Sequence, residues 1–245
     1  MGRGMQTTEP MKIGLFCPTR KRPQSLARLM ASAFNLADNP QRVKFRLYLD
    51  SDDLLTPDFL RKIDKKFYTT IVENHGTRHL SDMYNVLFEN SDDDVMVQLG
   101  DDTIIRTKGW DTLIENCFLE HKDRLVLVYG RDEIHNEKFA AHYALHRNWI
   151  ETVGYASPPY FSADWSDTWT FEIAKEVGRT RFLNDLVIEH LHWTQGKSSI
   201  DETTMLSERR RRSVDNERIF RSEQMTKERK EAIVKLQEKI QKEER

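Results

Sequence analysis

The sequence is poor in cysteine and has no long apolar run. Cys17 and Cys117 are its only two cysteines, which excludes a disulfide framework and any zinc site built on cysteine. No stretch approaches the ~20 consecutive apolar residues of a membrane-spanning helix. The segment from Met1 to Met11 lacks the apolar core of a secretory leader. These absences predict a cytoplasmic chain with no membrane span. Net charge is nearly absent as well: 38 basic and 40 acidic residues leave -2 over 245 positions, which by itself speaks against a polyanionic partner. Pro159 is the last proline and Gly196 the last glycine, so the final stretch contains neither helix breaker.

What is present fits a globular core with an appendage. Twelve Phe, seven Tyr and five Trp provide enough apolar surface to exclude wholesale disorder. The charge is divided: Glu208 to Arg245 holds 13 basic and 9 acidic residues, and the remainder holds 25 and 31. The near-zero total is thus an acidic body joined to a basic tail, and it excludes no anionic partner. We place the boundary between 1–196 and 197–245. Ile233, Leu236 and Ile240 form a narrow apolar stripe on a charged helix. That stripe suits packing on the body or homo-oligomer formation, while Arg209 to Arg212 would suit a phosphate backbone or an anionic lipid.

The body alternates strand and helix patterns. Met11 to Cys17, Val43 to Leu49, Thr69 to Val72, Val95 to Leu99 and Leu125 to Tyr129 read as strands. Helical faces lie between them: Leu26 to Phe34, a helix opened by Thr56-Pro57 and reaching Phe67, Leu80 to Phe88, and Trp110 to His121. This order predicts an α/β fold with a mostly parallel central sheet and helices on both faces.

Ligands bind beyond the carboxyl ends of such strands. Pro18-Thr19-Arg20-Lys21-Arg22-Pro23 follows the first strand, Asp50-Ser51-Asp52-Asp53 the second, and Gly100-Asp101-Asp102 the fourth. One rim therefore gathers cations from one loop and carboxylates from two. A divalent metal carrying a polyphosphate reconciles them. Asp92-Asp93-Asp94 precedes the fourth strand, at the opposite rim, and reads as a solvated turn.

With these motifs, in this order from Ile13 to His192, the chain resembles a family 2 glycosyltransferase with the GT-A fold. Asp164-Trp165-Ser166-Asp167-Thr168-Trp169 and Val187-Ile188-Glu189-His190-Leu191-His192 complete the match. The resemblance implies a nucleotide-sugar donor, with a UDP-sugar favoured, and Mn2+ or Mg2+ as cofactor. It implies donor contacts at Pro18, Thr19, Arg20, Arg22, Asp50, Asp52, Asp101 and Lys197. It implies metal ligands at Asp102 and at one or both of His190 and His192. The catalytic base falls on Asp167, ahead of Asp164, although Asp167 also reads as a helix cap. The literal DxD is altered here, since Leu99-Gly100 precede Asp101. The acceptor stays open: a glycan, or a hydroxymethylated DNA base as used by some phage transferases that this chain resembles.

Further features are weaker. Ser157-Pro158-Pro159-Tyr160-Phe161, with Trp165, suggests rings that stack on an acceptor, whereas Trp169 reads as core. His75 to His79 and Asn85 are candidates for lining the donor site. Two other classes compete with the transferase. A nucleotidyltransferase would carry a Gly-rich loop with Lys after the first strand, where Pro18-Thr19-Arg20 stands. A non-catalytic nucleic-acid-binding protein using the basic tail would need neither paired carboxylates nor a late His pair.

Overall fold

The computed structural model describes residues 9–76, 78–162 and 164–244, with the side chain of Glu244 excepted. Most of the segment from Met1 to Met11, Thr77 of the 75–79 loop and Arg245 of the tail lie outside the described residues. The elements run β1 (Ile13–Thr19), α1 (Pro23–Leu36), β2 (Val43–Asp50), α2 (Leu55–Leu60), β3 (Tyr68–Glu73), α3 (Leu80–Glu89), β4 (Val95–Gln98), β5 (Thr103–Ile105) and α4 (Trp110–Leu119). There follow β6 (Leu127–Arg131), β7 (Tyr143–His146), α5 (Arg147–Val153), α6 (Ser166–Glu176), β8 (Thr180–His190), α7 (Glu202–Ser213), α8 (Asn216–Phe220) and α9 (Glu223–Glu244).

Among the described residues, eight strands form one sheet in the order β3-β2-β1-β4-β7-β6-β8-β5. β1 to β4 are mutually parallel, with Ile13 opposite both Val43 and Val95. β7 runs antiparallel between β4 and β6, and β5 runs antiparallel to β8. Neither β7 nor β5 was visible as a strand in the sequence. Three of the four residues of β7 are buried, so it shows no alternation, and β5 has only three residues.

Side-chain alternation in β1 feeds two cores, one on each face of the sheet. Ile13, Leu15 and Cys17 join α1 and α4 through Leu26, Leu29, Trp110 and Ile114. Phe16 joins α3, α5, α6 and α9 through Met83, Trp149, Trp169 and Leu236. α1 starts at Pro23, whose missing N–H costs nothing in a first turn. α2 is shorter than its pattern suggested and ends at Leu60. Asp53, not Thr56, supplies its cap: the Asp53 carboxylate accepts the N–H groups of Leu55 and Thr56, both at 3.0 Å.

Two local readings change. Asp93 is buried rather than solvated, and takes two hydrogen bonds from Arg46, at 2.6 and 2.8 Å. The predicted tail stripe faces the body: Met225, Ala232, Leu236 and Ile240 are buried, and α9 packs on α5 and α6. No helix among the described residues is long and apolar enough to cross a membrane.

Candidate active site

The carboxyl ends of β1, β2 and β4 converge with the end of β8 and with α7 around a cavity of about 280 Å3. Pro18, Thr19, Arg20, Arg22, Asp50, Asp101, Asp102, Asp164, Asp167, His190 and His192 all line it. Asp52 and Lys197 do not. Asp52 sits at the rim on Arg20, and Lys197 is held by Glu189 at 2.7 Å.

The two adjacent acids after β4 have separate surroundings. Asp101 is buried and accepts hydrogen bonds from Thr19 Oγ1 at 2.8 Å and Arg22 Nη1 at 3.0 Å. Burial and the neighbouring Asp102 charge push its carboxyl up to about 6, against the opposing pull of Arg22. Asp102 instead faces His190, whose Nε2 lies 3.3 Å from Oδ2. Burial works against its ionisation. The His190 contact, with the charge of Arg22, outweighs burial and holds the carboxyl well below its ordinary range. Gly100 stands where the first DxD acid would be, and the Asp102 carboxylate folds over it: a Cβ there would lie 2.5 Å from Asp102 Oδ1, so a side chain at this position would require Asp102 to move.

β8 delivers the histidines. His190 pairs with Thr103 of β5, and the Leu191 N–H donates to the Asp102 carbonyl at 2.7 Å. His142, absent from the sequence-predicted set, packs edge-on against His190 with ring centroids 4.8 Å apart. Burial and the His190 charge push His142 down to about 3, so it is a neutral imidazole at physiological pH. Its Nε2 and the Nδ1 of His190 are buried and have no hydrogen-bond partner among the described residues. His192 lies 5.0 Å from His190, ring to ring, and uses Nδ1 on Thr194.

Unpartnered buried nitrogens beside a carboxylate are costly unless a ligand satisfies them. Asp102 Oδ2 and His190 Nε2, 3.3 Å apart, are the pair that could hold a divalent cation, with His142 packed beside them; the free His190 Nδ1 points away from Asp102, and the three ligand atoms do not come within 4.8 Å of one another. A second grouping, Asp50, Asp52 and His75, brings its ligand atoms within 4.8 Å of one another. There the Arg20 guanidinium already lies 2.5 Å from Asp52 and 3.4 Å from Asp50, and a metal ion would face a cation at close range. Asp50 Oδ1 and Arg20 Nη1 are both buried without a partner among the described residues, leaving an acceptor and a donor for a polar ligand.

The base candidates differ in the same way. α6 begins at Ser166, with Trp165 in the left-handed region as its cap residue. Asp167 therefore lies within the first turn rather than capping it. Burial, reinforced by the Asp164 charge, pushes Asp167 up to about 6. Asp164 is held by Arg211 Nε at 2.8 Å, which neutralises it.

α7 closes the remaining side of the cavity. Asp201 caps it and accepts hydrogen bonds from Arg22 Nε and Nη2, both at 2.7 Å. Glu202 takes Arg20 at 2.9 Å, and Thr203 Oγ1 donates to the Arg20 carbonyl at 2.8 Å. None of these pairings was legible, because α7 lies in a charged stretch without hydrophobic periodicity. The predicted aromatic loop turns inward: Tyr160 stacks on Trp169 at 5.2 Å, and Trp165 stacks on Phe220 at 4.8 Å. The tryptophan on the cavity wall is Trp193. Asn85 is structural and ties α3 to Ala156 and Ser157.

No protein-family model and no curated protein sequence matches the chain. Solved structures do resemble it. A mannosyltransferase from Pyrobaculum calidifontis, PcManGT, in complex with GDP-Man and Mn2+, superposes with a TM-score of 0.59 at 13% identity, over 93% of this chain and 74% of that one. S. aureus TarS 1-349 in complex with UDP-GlcNAc gives 0.56 at 11% identity, over 94% and 82%. The same TarS fragment with UDP gives 0.58 at 10% identity, over 95% and 92%. The likeness establishes the fold: this chain is GT-A-like, as its motif order indicated.

Proposed function

We propose that the chain is a metal-dependent glycosyltransferase that moves a sugar from a nucleoside diphosphate sugar to an acceptor hydroxyl. One observation carries the reading. A low-lying carboxylate with two unpartnered imidazole nitrogens (Asp102, His190, His142) shares one cavity with a raised carboxylate, Asp167. Separated pKa values in one cleft mark a division of chemical labour. The solved structures of similar fold, with GDP-Man and Mn2+ or with UDP-GlcNAc, agree with the donor class.

Asp102 and His190 would hold the divalent cation, with His142 or His192 nearest to join them. When bound, the cation stabilises charge on the departing diphosphate. Mg2+ keeps largely to oxygen ligands, so this mixed nitrogen and oxygen set makes Mn2+ the first ion to test. Pro18, Thr19, Asp50 and Arg20 line the nucleoside end, where Asp50 Oδ1 accepts and Arg20 Nη1 donates. Asp101 positions the loop after β1 through Thr19 and Arg22. Asp167 accepts the proton of the acceptor hydroxyl, the hydroxyl oxygen bonds to the anomeric carbon, and the bond from that carbon to the diphosphate breaks. In-line attack of this kind inverts the anomeric centre. Asp164, neutralised by Arg211, orients the loop before α6. A UDP-sugar is the first donor to test, with glycan and hydroxymethylated DNA acceptors as separate arms.

Thermal melting tests the donor site. A UDP-sugar or GDP-sugar at a hundred times its Kd stabilises the fold by about 2.7 kcal/mol, about 5–11 °C for a chain of this size. Asp102→Ala is expected to abolish the part of the shift that needs Mn2+. A metal-dependent shift that survives Asp102→Ala would refute the assignment.

A further inference from the structure

The loop cations assigned to the donor already have their charge balanced. Arg20 faces Asp50, Asp52 and Glu202, Lys21 faces Asp52 and Glu202, and Arg22 faces Asp101 and Asp201. Lys197 lies outside the cavity on Glu189. A diphosphate entering this pocket would meet guanidinium groups that carboxylates have already neutralised. Charge–charge attraction for the donor must come from elsewhere.

α7 supplies one such group. Its inner face presents Thr204, Ser207, Arg210 and Arg211 to the cavity. Arg211 is held by Asp164 and Glu208 at 2.8 and 2.6 Å. Arg210, half-buried on the cavity wall, makes no ion pair among the described residues. Arg209 and Arg212 are exposed and do not line the cavity. The carboxylates on the wall outnumber its guanidinium groups, six to four. A divalent cation would offset that excess but would leave the donor's own charge unmatched.

We propose that Arg210 is the diphosphate-binding residue of this site, reaching the donor from α7 opposite the loop after β1. This rests on the transferase reading of the pocket and adds to it a contact from the C-terminal segment. Arg is suited to the task because its planar fork meets two phosphate oxygens at once. α7 thereby becomes part of the donor site, with its acidic start tied to the loop cations and its basic end turned to the ligand.

Binding of UDP and GDP with Mn2+, and of uridine and guanosine, is measured by calorimetry on the full chain. Arg210→Gln is expected to weaken binding of the diphosphate about ten- to a hundredfold, the loss of one charged hydrogen-bonded contact. Nucleoside binding and melting temperature should not change. Arg210→Lys should recover part of the affinity, and Arg209→Gln should leave it within twofold. Undiminished diphosphate binding by Arg210→Gln overturns the proposal alone, as does an equal loss in Arg209→Gln, which would mean general electrostatics. A loss confined to acceptor KM would put Arg210 on the acceptor and also overturn it. Failure of the unaltered chain to bind either nucleotide overturns the transferase reading and this proposal together.

Discussion

Replacing Asp167 by asparagine should make the protein more stable and far less active. The carboxyl is pushed from 3.8 up to about 6 by burial and by the Asp164 charge. A raised carboxyl binds its proton more tightly in the folded chain than in the unfolded one. Its ionised form therefore costs stability once pH exceeds the unfolded value, and the cost is complete above the folded value. That rise corresponds to about 3 kcal/mol at pH 7. Residual solvent access at the cavity wall reduces this to roughly 1–2 kcal/mol. Asparagine removes the charge and keeps an oxygen for the Thr168 N–H, which lies 2.8 Å from Oδ1. A gain of about 1–2 kcal/mol raises the melting temperature of a chain this long by about 2–8 °C. Loss of a general base should cut transfer by about 10²–10⁴-fold. In the unaltered protein, transfer should fall about tenfold per pH unit below pH 6. The assays are differential scanning fluorimetry and nucleoside diphosphate release across pH 5 to 8. Asp167→Asn activity within threefold of the unaltered chain, or a melting temperature below it, would refute the assignment of Asp167 as a buried general base.

Three further outcomes follow from packing and pairing. Leu236→Ala removes a fully buried side chain of α9 from the core beneath the sheet. It should cost about 2–5 kcal/mol in chemical denaturation; a loss under ~0.5 kcal/mol would mean that the helix is not part of the body. Gly130→Ala places a methyl 2.2 Å from the Leu186 carbonyl, where β6 meets β8. Its melting temperature should drop by several degrees, corresponding to at least ~2 kcal/mol. Lys197→Ala should leave donor KM within twofold, because Lys197 is tied to Glu189 outside the cavity.

The rim of the sheet was legible because strand ends announce themselves. An apolar run stops, and Pro18 to Arg22, Asp50 or Asp102 follows. His190 was legible for the same reason, since β8 ends on it. His142 was not: it precedes a short buried strand with no alternation, and only the antiparallel insertion of β7 between β4 and β6 carries it to His190. Arg22, expected on the donor, is tied to Asp101 and Asp201. That pairing spans residues far apart in the chain, and composition cannot specify which of many carboxylates an arginine will meet. Asp93 misled for the opposite reason. A run of three acids looks solvated until Arg46, reaching across β1 from β2, is seen to enclose Asp93. The tail stripe at Leu236 and Ile240 was legible as a stripe, but its partner was not, because docking on α5 and α6 is a tertiary event.

A cavity that transfers a sugar from a nucleotide should also cleave that donor slowly when only water is present. The direct measurement is release of free nucleoside diphosphate from a panel of UDP- and GDP-sugars, with Mn2+ and with chelator, by the unaltered chain and by Asp102→Ala. Slow hydrolysis of one donor, dependent on Mn2+ and lost with Asp102, is the expected result. No release from any donor, or release indifferent to both metal and Asp102, would contradict it.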